Sequence, residues 1–197
     1  MVKKLRFLAA GDLHGNLDVA KKLSEKGKKG KVNLVVLAGD IYGYDGGEKG
    51  LLEPFLKAKQ KVLFVPGNCD FNEECKILEQ KGKNIHNYYV TYDGVGIAGI
   101  GSPNWKLSLD EKDFENIKRN FEKMKSTKRI LVSHLHASGT KAEFSGIPGE
   151  KILRKAVKDF KPDLLIAAHI HESEGIEDKI GKTRVVQVGR RGKILEI

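Results

Sequence analysis

Apolar and β-branched residues recur along the chain in short blocks. Residues 5–10, 34–38, 62–65, 95–100, 130–132, 164–168, 185–188 and 194–197 are each too short for a buried helix and predict strands. Several run without polar alternation, as strands covered on both faces do. Other segments carry a helical period. Phe114, Ile117, Phe121 and Met124 form one apolar stripe, and Ile152, Leu153, Ala156, Val157 and Phe160 form another. Further helices are expected over residues 17–26, 48–59 and 72–81. Asp70 or Asn72 is placed to cap the last of these, with Asp70 preferred, and Gly82 to end it. Gly27 and Gly30 suggest the end of the first helix and a turn. Helices alternate with strands early on, and strand-rich sequence follows at 84–100 and after 164. The order predicts a layered α/β sandwich with mixed sheets in one domain spanning 1–197. Gly139, Gly146, Pro148 and Gly149 mark 137–150 as a loop.

The strand ends carry the chemistry. After the first strand comes Gly11-Asp12-Leu13-His14-Gly15-Asn16, and after the second Gly39-Asp40. The third leads into Pro66-Gly67-Asn68-Cys69-Asp70. Ser133-His134-Leu135-His136 and Ala168-His169-Ile170-His171 follow two later strands. Ligands of open α/β sheets bind beyond the carboxyl ends of the strands, so five segments deliver Asp, Asn and His to one place. Five of the six histidines lie there, and only His86 does not. Asp12/His14 and His169/His171 are spaced by two, which in extended chain aims both members of a pair to the same side. Oxygen and imidazole donors suit Mn, Fe, Zn, Co or Ni. The number of donors exceeds what one ion needs and suits two ions sharing a bridging carboxylate.

Composition narrows the setting. Among 197 residues, 36 Lys and Arg oppose 26 Asp and Glu, for a formal charge of +10. Lysines solvating the surface account for this more simply than a nucleic-acid partner does. Two cysteines exclude a multi-disulfide scaffold and a four-cysteine zinc site. No apolar run reaches the roughly 18 residues of a membrane helix. The basic opening Met1-Val2-Lys3-Lys4 lacks a following signal-peptide apolar core, so a cytoplasmic protein is expected.

The ordered set from Asp12 to His171 resembles the calcineurin-like metallophosphoesterase superfamily, whose pattern is Asp-x-His, Gly-Asp, Gly-Asn-His-Asp/Glu, a strand-end His and Gly-His-x-His. Size and the Gly-Asn-Cys-Asp variant are similar to its small bacterial and archaeal phosphodiesterases. The resemblance implies a four-layer α/β/β/α sandwich with two mixed β-sheets. It implies two divalent metal ions, manganese first among Mn, Fe, Zn, Ni and Co. Asp12, His14 and His171 would hold one, Asn68, His134 and His169 the other, and Asp40 would bridge them. The implied reaction is phosphodiester hydrolysis by a metal-bridging hydroxide, with monoesters as weaker substrates. Asp40 and Asn68 belong to that catalytic apparatus. His136 is a further candidate, though a structural or rim role is preferred for it. The sequence departs from the pattern twice. Ala168 replaces a glycine, and Cys69 stands where many members carry a histidine beside the phosphate. A thiol offers no positive charge there. Lys141 and Phe144, in the loop after His134, are candidate substrate contacts. Cys75 is expected to be buried packing.

Two other readings compete. A nuclease or nucleotide phosphoesterase would draw on the basic charge, with Tyr88, Tyr89, Tyr92 and Trp105 as base-stacking candidates, although packing is preferred for all four. A non-catalytic scaffold resembling the small retromer subunit is the other, against which stands an Asp, Asn or His at every ligand position. A phosphoester small molecule or nucleotide is thus the expected partner, ahead of nucleic acid, with no membrane.

Overall fold

The computed structural model describes residues 4–197, so Met1, Val2 and Lys3 of the basic opening lie outside it. Eighteen helical and strand segments follow in the described chain. The first half is β1 (Arg6–Ala10), α1 (Leu17–Lys29), β2 (Leu34–Ala38), α2 (Glu53–Lys57), β3 (Lys61–Val65), α3 (Asn72–Glu79) and β4 (Lys83–Asn84). Then come β5 (Tyr89–Tyr92), β6 (Val95–Ile100), α4 (Glu111–Lys123), β7 (Lys128–Ser133), a 3-10 turn (Lys141–Ser145) and α5 (Lys151–Phe160). The last are β8 (Leu164–Ala167), a short 3-10 turn (His171–Ser173), β9 (Glu177–Ile180), β10 (Thr183–Gln187) and β11 (Lys193–Glu196).

The strands form two mixed sheets. One has the order β11-β1-β2-β3-β4, parallel except that β11 runs antiparallel to β1. The other has the order β5-β6-β7-β8-β10-β9, with antiparallel pairs only at its two edges. The two-residue period of a strand explains the layering. Phe7, Ala9, Val36, Ala38 and Val65 face inward and meet Ile97, Val132, Ile166 and Val186 of the second sheet. The alternate residues Leu8, Val35, Leu37 and Phe64 face outward onto Ala20 and Leu23 of α1 and Phe55 of α2. Leu131, Leu165 and Val185 likewise face Phe114, Ile117 and Phe121 of α4 and Leu153, Ala156 and Val157 of α5. Both stripes predicted for α4 and α5 are therefore core faces. The result is the four-layer α/β/β/α sandwich, with unbroken apolar strands because both faces of each sheet are covered.

Several local expectations change. The helix expected over 48–59 is confined to Glu53–Lys57, because Gly47 and Gly50 are left-handed and Pro54 suits only a first turn. Conversely, α1 runs through Gly27 to Lys29; Gly27 serves close packing inside the helix, where a side chain would collide with Gln60. α3 ends at Glu79, before Gly82. Its N-cap is Phe71, with no side-chain cap, so neither Asp70 nor Asn72 has the capping role. Tyr89 and Tyr92 pack partly into the cores, whereas Tyr88 is 67% and Trp105 50% exposed, against the packing expected of them. Cys75 is buried, as expected. No helix among the described residues is long and apolar enough to cross a membrane.

Candidate metal centre

The loops after β1 and β2 are laced together by their backbones. Asp12 N–H donates to the Gly39 carbonyl, His14 N–H to Asp40 and Gly15 N–H to Ile41, each at 2.9 Å. These bonds bend the chain into a left-handed conformation at Asp12 (φ 54°), His14 (47°) and Asp40 (49°), and His169 (69°) shares it. Each such non-glycine residue costs roughly 1–2 kcal/mol. Strain concentrated on residues that converge on one point is characteristic of functional sites. The convergence of Asp12 and His14 therefore arises from a turn, not from the extended spacing expected. His169 and His171 do not aim at one point. The turn at His169 sends it to one side and His171 to the other.

Two sets of donors result, one on each side of Asp40. Asp12, His14 and His171 present ligand atoms within 4.8 Å of one another, with the Nε2 atoms of His14 and His171 3.0 Å apart. Asp40, His134 and His169 form a second such group. There, His134 Nε2 stands 3.2 Å from His169 Nδ1 and 3.0 Å from Asn68 Oδ1. Asp40 reaches both: its Oδ2 is 3.8 Å from His14 Nε2 and its Oδ1 3.5 Å from His134 Nε2. All seven ligand residues expected from the sequence are thus brought together.

The donor chemistry fits cations. His134 is buried, and its Nδ1 donates to the Ala38 carbonyl at 2.8 Å. In the neutral ring that bond leaves a lone pair on Nε2, which faces the Asn68 oxygen, another acceptor. Burial pushes His134 and His14 below the usual imidazole range, and lowers His169 to about 4, with His134 adding to the effect. These rings are consequently neutral at pH 7, the form that ligates metal. Asp12 takes one bond from His169 N–H at 3.3 Å, while its buried Oδ2 has no partner. Burial, then the Asp40 charge, holds the Asp12 carboxyl well above the usual carboxylate range. Unpaired buried oxygen and mutually facing lone pairs are costly unless a cation lies between them.

Asp70 supports this arrangement from behind. Fully buried, it accepts from the backbone N–H groups of Gly67 (2.8 Å), Tyr42 (2.7 Å) and Ile41 (3.2 Å). It thereby ties the Asp40 loop to the Asn68 loop. Cys69 N–H donates to Asp40 Oδ1 at 2.9 Å, and Asn68 Nδ2 lies 3.4 Å from the Cys69 sulfur. Burial and then the Asp40 charge push the Cys69 thiol up to about 12, so it is un-ionised at neutral pH. The Ala168 methyl is accommodated because it faces Gly11, where a second Cβ would lie only 2.9 Å away.

The remaining candidates lie apart from the donor sets. His136 is buried, and its Nε2 turns to the Ile147 carbonyl at 3.2 Å, fixing the loop after β7. Lys141 lines a surface recess with Glu177, Asp178, Lys179 and Arg184, its N–H held by Asp178. Phe144 is exposed on the same 3-10 turn. His86 is tied up with Gly101 N–H and Asn87. Arg190 is a residue that sequence reasoning missed. Its Nε donates to the Asp12 carbonyl at 2.7 Å, and its charge acts on both Asp12 and His14. It follows the predicted strand at 185–188, so reading that strand's carboxyl end like the others would have found it.

Comparison with known proteins agrees with this geometry. The family model described as calcineurin-like phosphoesterase matches residues 5–173. The uncharacterized protein MJ1162 of Methanocaldococcus jannaschii is 32% identical over 199 residues, covering 94% of this chain and 88% of that one. Among solved structures, TT1561 of Thermus thermophilus superposes with a TM-score of 0.78 at 15% identity, covering 99% of both chains. The phosphopantetheinyl hydrolase of Mycobacterium tuberculosis has a similar fold, with a TM-score of 0.60 at 13% identity over 97% of this chain and 92% of that one. With its strand-end donors in the expected order and the family model covering all five of those strand ends, the chain belongs to the calcineurin-like phosphoesterase family.

Proposed function

We propose that this protein is a dinuclear metal-dependent phosphodiesterase. The observation that carries the reading is Asp40, whose two oxygens face separate donor sets. Asp12, His14 and His171 would hold one ion, Asn68, His134 and His169 the other, and Asp40 would touch both. Manganese is preferred, with Fe, Zn, Ni and Co compatible with the same mixed oxygen and imidazole donors. Two bound divalent ions supply a nucleophilic water at neutral pH and neutralise charge on the phosphoryl oxygens.

The chain's own residues set the rest. The first donor set opens to solvent at His171, whereas His134 is sealed, so substrate approaches from the His14 and His171 side. Arg190 stands on that side with a guanidinium suited to a phosphoryl oxygen. Cys69 is a thiol and brings no positive charge to the leaving group. That favours leaving groups that depart without protonation, such as aryl oxides, and diesters over monoesters. The decisive experiment is a turnover screen of aryl diesters, monoesters and nucleotides against Mn, Fe, Zn, Ni and Co, with Asp40→Ala as the blank. Diester hydrolysis in the wild type alone is expected. No turnover by folded protein with any of these metals would overturn the reading.

A further inference from the structure

Beside the donor sets lies an aromatic pair that the hydrolytic chemistry does not use. Tyr44 and Trp105 stack with ring centroids 4.7 Å apart and planes inclined by 17°. Phe71 meets Trp105 edge-on at 5.7 Å. Tyr44 is 64% and Trp105 50% exposed, an unusual state for two large rings in contact. Neither ring belongs to the sandwich cores.

The mounting of the pair ties it to both halves of the metal centre. Tyr44 sits at the tip of a tight hairpin closed by Gly43 and Gly46. That hairpin docks on the Asp12–His14 loop where Gly15 and Gly47 approach so closely that a Cβ on Gly15 would lie 2.6 Å from the Gly47 Cα. Glu48 N–H donates to the Gly15 carbonyl, and its carboxylate accepts from Leu17 N–H. On the other side, Trp105 N–H donates to the Asn68 carbonyl and Asn104 N–H to Asp70. Asn104 and Trp105 are both left-handed (φ 58° and 62°), so the turn is held in a strained form that presents the indole. Cys69, next to the Asn68 that anchors Trp105, has its sulfur within 4.8 Å of the His14 and Asp40 ligand atoms. A planar group on this platform would therefore be attached to a phosphoryl group at the metals by a short linker.

We propose that the Tyr44–Trp105 pair is a stacking platform that selects nucleoside phosphoesters, resting on the phosphoesterase reading above for the adjoining phosphoryl site. Every base has a π-face, and stacking on an aromatic side chain is sequence-tolerant, so the platform recognises a nucleobase without fixing which one.

The test uses the metal-loaded full chain. Trp105 is the sole tryptophan, so its fluorescence reports the platform whether or not turnover occurs. Adenosine 5′-monophosphate should quench it saturably, while ribose 5-phosphate should not. The nucleotide should also inhibit about tenfold more strongly than the sugar phosphate, the scale of one stacked base. Kinetically, thymidine 5′-(p-nitrophenyl phosphate) is compared with methyl p-nitrophenyl phosphate, so that the nitrophenyl ring cancels. The ratio of their kcat/KM values should fall about tenfold in Trp105→Ala and in Tyr44→Ala, through KM, and recover largely in Trp105→Phe. Equal inhibition by the two phosphates without quenching, or an unchanged ratio in both alanine variants, would overturn the platform. Saturable quenching in a protein that hydrolyses no ester would instead overturn the hydrolase reading and leave the platform standing.

Discussion

Gly67 and Asp40 are packed so closely that a Cβ on the glycine would fall directly on the carboxylate, nearer to its Oδ1 than any real contact. The glycine is required here by space, not by backbone conformation. The carboxylate that faces both donor sets is held against bare backbone, with Cys69 N–H as its donor. Gly67→Ala should therefore displace Asp40 without disturbing the sheets. Metal content is expected to fall from two ions to one or none, with activity down at least about 100-fold, the scale expected when a catalytic group is misplaced by an ångström. Elemental analysis of the folded variant decides, and two retained ions would contradict this role for the glycine.

On the dinuclear reading proposed above, Asp40→Ala removes the carboxylate that both donor sets would share. Metal and activity should disappear together, and added Mn should no longer raise Tm. For the wild type, metal at 100 times Kd should stabilise by about 2.7 kcal/mol. Calorimetry with and without metal reads both, and a normal metal-dependent Tm shift in the variant would refute a bridging Asp40.

Asp70 accepts three buried N–H groups and touches no ligand atom, so its loss should act on stability. Asp70→Ala leaves those donors unpaired and should cost about 2–4 kcal/mol, with Asp70→Asn milder because one acceptor oxygen remains. Denaturant unfolding measures this. A loss below about 0.5 kcal/mol, the range of ordinary surface substitutions, would show that the lacing is dispensable.

His169 makes the metal-free protein acid-sensitive. Its folded pKa of about 4 lies below the unfolded value, so the unfolded chain binds the proton first. The associated stability is complete above pH 6.5 and is lost as pH falls toward 4. Asp70, raised to about 7 chiefly by burial, has the opposite sign, so only a difference isolates the histidine. Between pH 7 and pH 5, metal-free wild type should lose about 1–2 kcal/mol more than His169→Gln. Parallel pH profiles of the two proteins would rule this out.

Glu177 pairs with Arg184 at 2.7 and 3.0 Å and with Lys193, joining β9, β10 and β11, and these bonds, led by Arg184, lower it to about 2. Its contribution is present above the unfolded pKa and is lost as pH falls toward 2. The group is well solvated, so Glu177→Gln should cost no more than about 1 kcal/mol at pH 7. The difference from wild type should vanish near pH 2, and a constant difference across that range would contradict the ionic origin.

The sequence by itself determined eight of the eleven strands, both apolar helix stripes and the seven candidate donors, while β4, β5 and β9 went unassigned. Strand burial, helical period and residues such as Asp12 and His134 at strand ends are local in sequence, and local patterning records them. Their spacing did not determine which donors group together; only the family resemblance implied that division. His169 and His171 are two residues apart yet serve opposite sides, because a left-handed turn separates them. That turn, like those at Asp12, His14 and Asp40, belongs to backbone held by partners distant in sequence, such as Gly39 for Asp12. The same holds for Asp70, which suggested a helix cap and two of whose three actual partners lie 28 and 29 residues away. The contact of Arg190 with the Asp12 loop and the stacking of Tyr44 on Trp105 became visible only when loops remote in sequence met at one end of the sheets. Tertiary structure decided these matters because contact between remote segments leaves no periodicity to read.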